Sequence, residues 1–149
     1  MSYEDQFNRV KRFLLKIDPP SKNHGNAIEY EDNLWSFFQN AWHLKDWIKN
    51  DDSIEPIDIE TIVTNYSCLM ICSDLANRTK HLKLRHHIRV DAKFSGNDVT
   101  ISINETGHTA FLNYRIIDMH GKEYNAIDLA KEILNAWSEI IDLHVAEIA

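Results

Sequence analysis

The hydrophobic residues of this 149-residue chain change their spacing twice, and this change limits the fold more than any other feature. Up to about residue 81 they recur every three to four positions, which is typical of helices that bury one face. From residue 88 to residue 117 they alternate with polar residues, which is typical of strands. After residue 125 the helical spacing returns. This order predicts an α+β fold, namely a bundle of about four helices with a three-stranded antiparallel meander before the C-terminal helix.

The predicted helices cover residues 2–17, 31–49 and 57–81, and Asn125 caps a last one. The first should end at Asp18, because the prolines that follow disfavour a helix at the preceding residue and cannot continue one. Apolar side chains around residues 34–48 and 57–77 predict two long, mostly buried helices that pack together. Cys68 and Cys72 lie four residues apart in the third helix and are expected to be buried thiols in a reducing compartment.

The alternating region predicts strands at residues 88–94, 99–103 and 110–117, with turns at 95–98 and 105–108. Residues 118–122 should then form the turn that leaves the sheet. A solvated three-stranded sheet would be only marginally stable, so one face should pack against a helix. The residues predicted on that face are Ile88, Val90, Val99, Ile101 and Ile103.

Composition limits the kind of protein. Hydrophobic residues at 44% and charged residues at 26% are ordinary globular values, and the length predicts a single domain over residues 1–149. The net charge of −7 argues against a protein that coats nucleic acid, although it leaves room for a local basic site. No apolar run reaches the ~18 residues of a membrane span, and no secretory leader opens the chain. We therefore expect a soluble, cytoplasmic protein without a membrane partner.

Two lines of polar residues cross the apolar surfaces of the second and third helices. In the second helix the members recur every three or four residues, and in the third they lie at i, i+3 and i+7, which places each line on one helix face. The first line is Ser36, Asn40, His43, Asp46 and Asn50, and the second is Asp74, Asn77 and His81. If the helices pair in antiparallel fashion, the two lines need not meet at the same level.

These lines raise the question of a metal site. His43, Asp46, Asp74 and His81 could supply two imidazoles and two carboxylates, a set that suits zinc or iron-type ions. Their spacings are not those of established metal motifs. Buried polar groups must find hydrogen-bond partners, so we expect these side chains to bond to one another and to tie the helices together. The prediction is therefore no metal and no cofactor.

A basic tract follows the second polar line. From Arg78 to Arg89 the chain has five Lys and Arg residues and no acidic one, which makes this its best phosphate-attracting patch. The alternative is a solvated helix end, where cations are favoured by the helix dipole. The four tryptophans are expected to lie mainly in the core, with a stacking surface for bases as the alternative; they are Trp35, Trp42, Trp47 and Trp137.

The two helices that carry the polar lines resemble a widespread group of bacterial proteins. That group has an HLxDW…DxxNxxKH pair of helices, and the matching stretches here are residues 42–47 and 72–82. The resemblance covers about residues 34–140 and continues weakly through residues 117–122 into the helix with Trp137. The group has no assigned chemistry, so this resemblance implies a helix pair and no activity.

The helices are more distantly similar to HEPN domains (higher eukaryotes and prokaryotes nucleotide-binding), many of which are ribonucleases of toxin–antitoxin and phage-defence systems. Their motif is an Arg, commonly followed by a polar residue, with a His four to six positions further on. Here only two residues separate Arg78 from His81, and at the longer spacing the chain has Asp74 in place of an Arg. The resemblance implies that His81 is the acid–base group and that Lys80 or Arg78 supplies the charge for the transition state.

Two functions follow from these patterns. One is a non-catalytic interaction or ligand-binding module, in which a polar network is internal; its predicted members are His43, Asp46, Asp74, Asn77 and His81. The other is a HEPN-like ribonuclease or nucleotide-binding protein, with catalytic candidates His81, Lys80 and Asp74 and binding candidates His43, Asp46, Asn77 and Arg78. The partners left open are a protein, a small ligand, RNA or a nucleotide, and a second copy in a homodimer.

Overall fold

The element order confirms the α+β prediction. The computed structural model describes residues 1–19, 27–78, 89–105 and 107–145, with the backbone alone at 27, 97–104 and 107–112. The elements are α1 (Tyr3–Ile17), α2 (Ala27–Lys49), α3 (Ile59–Val63), α4 (Ser67–Arg78), β1 (Lys93–Asn104), β2 (Gly107–Ile117), β3 (Glu123–Asn125) and α5 (Ala126–Ile140), which continues into a π-helical turn (Ile141–Val145). The strands form an antiparallel sheet in the order β1-β2-β3, directly before the C-terminal helix.

Helix α2 is central, as its apolar circumference predicts. It packs against α1, α4 and α5, and it contributes the largest group of fully buried side chains. These are Tyr30, Leu34, Phe37, Phe38, Ala41 and Leu44. The helix begins at least four residues earlier than predicted. Tyr30 stabilises this added turn, because its hydroxyl donates to the Ile17 carbonyl at 2.9 Å and its ring stacks on Tyr114.

Sequence signals for helix ends predict two boundaries well. Helix α1 ends at Ile17, directly before Asp18 and Pro19. Helix α5 begins after Asn125, whose side-chain oxygen accepts the N–H groups of Ile127 at 3.0 Å and Asp128 at 3.2 Å. This oxygen satisfies two of the N–H groups that every helix leaves without an internal partner.

The prediction of one continuous third helix over residues 57–81 is wrong. A turn at residues 64–66 divides this stretch into α3 and α4. Residues 61–64 are all β-branched, and such residues are weak helix formers. The Thr64 hydroxyl donates to the Thr61 carbonyl at 2.6 Å, which competes with the helical bond pattern. The Tyr66 carbonyl then accepts the first N–H bonds of α4. The predicted end at His81 lies outside the described residues.

The strand boundaries also differ from the prediction. Residues 95–98, predicted as a turn, lie inside β1, and the extra residue is absorbed by a bulge between Phe94 and Gly96. Gly96 takes a φ of +153°, which a residue with a Cβ rarely adopts. The hairpin reverses between Asn104 and Gly107, within the predicted second turn, and β3 falls at Glu123–Asn125. The predicted third strand is therefore part of β2.

The sheet packs against the helices through β2 and the entry to β1. Tyr114 and Ile116 of β2 are buried, and Val90 and Phe94 pack against the same core. Helix α5 contacts both β2 and β3. Of the residues predicted on the buried face of the sheet, Val90 packs against the core but lies before β1 and outside the sheet. Ile88 lies outside the described residues, and Val99, Ile101 and Ile103 belong to the positions described by backbone alone. Among the helices described, none has the length and apolarity needed to cross a membrane.

Candidate functional site

Asp74, one of the predicted catalytic residues, is fully buried on α4. Its Oδ1 accepts the N–H of Arg89 at 2.9 Å, and its Oδ2 accepts those of Val90 at 2.8 Å and Ala92 at 3.2 Å. A buried carboxylate is stable only when such donors replace its water. Both oxygens of Asp74 are therefore occupied in holding the backbone that enters β1.

Arg78 lies one turn later on the same face of α4 and holds the same backbone. Its Nε donates to the Ala92 carbonyl at 2.7 Å, and its Nη2 donates to Asp91 Oδ1 at 2.6 Å. Asp91 has a φ of +50°, a left-handed conformation that Asp tolerates better than most residues. We call residues 89–92 the anchor segment, because Asp74 and Arg78, spaced one turn apart on one helix face, together bond to each of its residues.

The anchor segment determines where the basic tract is attached. The tract begins at Arg78, the last residue of α4. It ends at Arg89, whose N–H donates to Asp74, and Asp74 lies on α4 one turn before Arg78. Met119 donates its N–H to the Val90 carbonyl at 2.9 Å, which joins the segment to the turn after β2. Of the predicted catalytic residues, Lys80 and His81 belong to residues 79–88, outside the described part of the chain.

The predicted site residues of α2 have other partners. His43 is partly buried, and Asp46 accepts the Lys45 ammonium at 2.8 Å. Lys45 also bonds to Glu60 at 3.1 Å. Burial alone would lower the pKa of Lys45, but the bonds to the two carboxylates outweigh it and the pKa is raised. In the part of the chain described here, no hydrogen bond or ion pair joins Asp46 to Asp74 or to Asn77, which is partly buried.

One polar contact escaped the sequence analysis. Gln6 is 1% exposed, and its Nε2 donates to the Asn40 carbonyl at 2.9 Å and to Asn40 Oδ1 at 3.2 Å. Arg9 Nη1 donates to Gln6 Oε1 at 2.7 Å and lies over the Trp47 ring, 5.7 Å from its centroid. The sequence does contain a signal, because Gln6 precedes the buried Val10 by one helical turn. Asn40 of the first polar line therefore faces α1.

A groove that the sequence does not predict lies between α2 and the last turn of α4. It is open to solvent, has a volume of about 430 Å³ and is lined by Asp32, Trp35, Ser36, Gln39 and Arg78. The sequence predicts Trp35 mainly for the core, although the four α2 residues share one face at three- and four-residue steps. The Trp35 ring is only partly buried and meets the Phe94 ring edge-on at 4.6 Å.

The two cysteines are free and buried, as predicted. Burial, followed by the charge of Glu132, raises the pKa of Cys68 to about 11. Burial also raises the pKa of Cys72 well above the usual value, and its Sγ donates to the Phe38 carbonyl at 3.3 Å. Thiols with such pKa values are poor nucleophiles at neutral pH. Across the described residues, no group of three or more His, Cys, Asp or Glu side chains is arranged to hold a metal ion.

Comparison of the chain with protein families, with curated proteins and with solved structures finds no match. The resemblance to HLxDW…DxxNxxKH proteins and to HEPN domains therefore stays a prediction.

Proposed function

We propose that this chain is a non-catalytic interaction or ligand-binding module, in which the polar residues of α4 support a binding surface. The observation that carries the proposal is the bonding of Asp74. A general acid or base must reach the proton that it transfers, directly or through one water molecule. Asp74 is fully buried, and three backbone N–H groups occupy its oxygens.

Arg78 supports the same proposal. A ribonuclease of the kind implied by the HEPN resemblance needs a cation that is free to stabilise charge in the transition state. The Arg78 side chain is 17% exposed, and two of its donors hold Ala92 and Asp91. These two bonds keep the guanidinium at the entry to β1, where only its remaining donors can meet a ligand, so its contacts favour a structural and binding role.

The test compares RNA cleavage and thermal unfolding of the wild type with those of His81→Ala. We expect the wild type to leave single-stranded and double-stranded RNA intact over hours, because Asp74 and Arg78 are engaged with the backbone. The matched control is His120→Ala, since His120 is an exposed imidazole in the turn after β2. Cleavage by the wild type that disappears in His81→Ala, with an unchanged melting temperature and full activity in His120→Ala, would establish the ribonuclease instead.

A further inference from the structure

The groove between α2 and α4 has the size of a small-molecule site. Its volume of about 430 Å³ lies within the roughly 300–1,000 Å³ typical of ligand pockets. It combines one aromatic ring, one cation, one carboxylate and two neutral polar side chains. These are Trp35, Arg78, Asp32, Ser36 and Gln39.

The ring of Trp35 is held ready for stacking. It meets Phe94 edge-on at 4.6 Å with an interplanar angle of 72°, and Phe94 in turn packs edge-on against Phe38 and Tyr114. The part of the indole that stays exposed borders the groove. A ring already fixed by its neighbours loses little freedom when a planar ligand stacks on it.

Arg78 supplies an oriented donor for an anionic group. A guanidinium has five N–H donors in a planar fork, and the two bonds to Ala92 and Asp91 fix the plane of this one. The fork geometry suits a carboxylate, and fixing it beforehand reduces the entropy lost on binding. The negative charge of Asp91 also offsets that of Arg78, so the groove does not select for a polyanion.

Asp32 supplies the opposite charge. It is exposed on α2, one helical turn before Ser36, and within the described ranges it forms no ion pair with Arg78. An exposed carboxylate at the rim accepts an ammonium group and repels a second anion. The lining of the groove thus combines a donor fork, an acceptor carboxylate and an aromatic ring.

We propose that this groove binds a small zwitterion with a planar ring, the class of the aromatic α-amino acids. The ligand carboxylate bonds to Arg78, its ammonium to Asp32, and its ring stacks on Trp35. The inference rests on the proposed function and names the ligand class of that module. A mononucleotide would place a ring on Trp35 and a phosphate on Arg78, but it would leave Asp32 facing a dianion.

Calorimetric titration of the intact chain tests the proposal with four probes: L-phenylalanine, phenylacetate, 2-phenylethylamine and adenosine monophosphate. L-Phenylalanine is expected to bind best. Phenylacetate lacks the ammonium and 2-phenylethylamine lacks the carboxylate, so each should bind about tenfold more weakly, as the loss of one charge-assisted bond implies. Adenosine monophosphate should bind no better than phenylacetate.

Variants assign the ammonium to its partner. Asp32→Asn should weaken L-phenylalanine binding about tenfold and should not weaken phenylacetate binding, because only the ammonium of the first ligand contacts Asp32. Glu31→Gln is the matched control, since Glu31 is an exposed carboxylate on the same helix that does not line the groove. Both positions are exposed, so melting temperatures should stay at the wild-type value.

Three results would overturn the assignment. The first is the absence of saturable binding of L-phenylalanine at about 10 mM, a concentration well above a Kd of about 1 mM. The second is tighter binding of adenosine monophosphate than of L-phenylalanine, and the third is an equal loss of L-phenylalanine binding in Asp32→Asn and Glu31→Gln. None of these results bears on catalysis. Failure of the proposed function would instead appear as RNA cleavage that depends on His81, so the two failures are distinguishable.

Discussion

Asp91 shows how one residue depends on the helix beneath it. Its φ of +50° is costly for a residue with a Cβ, and the bond from Arg78 to its carboxylate compensates for part of this cost. The N–H groups on either side converge on Asp74, so the conformation of the anchor segment is determined by two side chains of α4. Asp74 and Arg78, two polar residues proposed from the sequence as site residues, thus fix the backbone conformation of the anchor segment.

The substitution Arg78→Lys tests this role. Lysine keeps the charge but has one nitrogen in place of the Nε and Nη2 that meet the Ala92 carbonyl and Asp91, so at least one of these bonds should be lost or weakened. We expect the free energy of unfolding in urea to fall by about 1–2 kcal/mol. Arg12→Lys, at an exposed position of α1, is the control and should have no measurable effect. Equal stability of the two variants would show that Arg78 does not hold the segment.

The thiols give a second prediction at this scale. The rise of the Cys68 pKa from 9.0 to about 11 lowers its thiolate fraction at neutral pH about a hundredfold, and the pKa of Cys72 is also raised well above its usual value. The folded chain should therefore react with a disulfide reagent at least that much more slowly than the chain in urea, where both thiols should titrate. Rapid reaction of one thiol in the folded chain would indicate that α4 opens.

At the scale of elements, the connection between α2 and α3 is fixed by two aspartates. Asp51 accepts the Ser53 hydroxyl and the N–H groups of Ser53 and Tyr3, which ties the end of α2 to α1. Asp58 caps α3 by accepting the Thr61 hydroxyl at 2.6 Å and the Thr61 N–H at 3.3 Å. These bonds lower the pKa of both carboxyl groups below the usual 3.8, and in each case the bond from the side-chain hydroxyl has the largest effect.

This lowering predicts an acid-labile connection. A carboxyl group with a lower pKa in the folded state adds stability above its unfolded pKa, and this stability is lost as the pH falls through the folded pKa. The melting temperature should therefore be steady near neutral pH and fall as the pH drops below 3.8. In the double variant Asp51→Asn, Asp58→Asn the fall in this range should be shallower. A pH profile identical to that of the wild type would contradict the assignment.

For the whole molecule, the sequence predicts what depends on local signals and misses what depends on distant partners. The proline after Asp18 and the cap at Asn125 act within one turn, and both boundaries are correct. The turn at residues 95–98 is wrong because the Ser-Gly-Asn-Asp composition favours a turn, whereas pairing with β2 keeps these residues in the strand, with one bulge. Tertiary context overrides local preference here.

The candidate site follows the same rule. The spacing of Asp74 on α4 predicts a polar face, but its partners are backbone N–H groups 15–18 residues further along the chain, which no side-chain pattern reveals. The groove lies between α2 and α4, and only the packing of these helices determines that Trp35 and Arg78 border the same space. The spacing of Asp32, Trp35 and Gln39 along one helix face is visible in the sequence, but the partner across the groove is not.

The free energy of unfolding of Asp74→Asn, measured in urea beside Asp46→Asn, shows whether Asp74 holds the anchor segment. Asparagine has one acceptor oxygen where Asp74 uses two, so an N–H of the anchor segment is left facing an amide NH₂. We predict a loss of about 2–4 kcal/mol for Asp74→Asn. Asp46 is half exposed and makes a surface ion pair, so its variant should lose less than about 1 kcal/mol. A loss for Asp74→Asn that is no larger than the loss for Asp46→Asn would show that Asp74 does not hold the anchor segment.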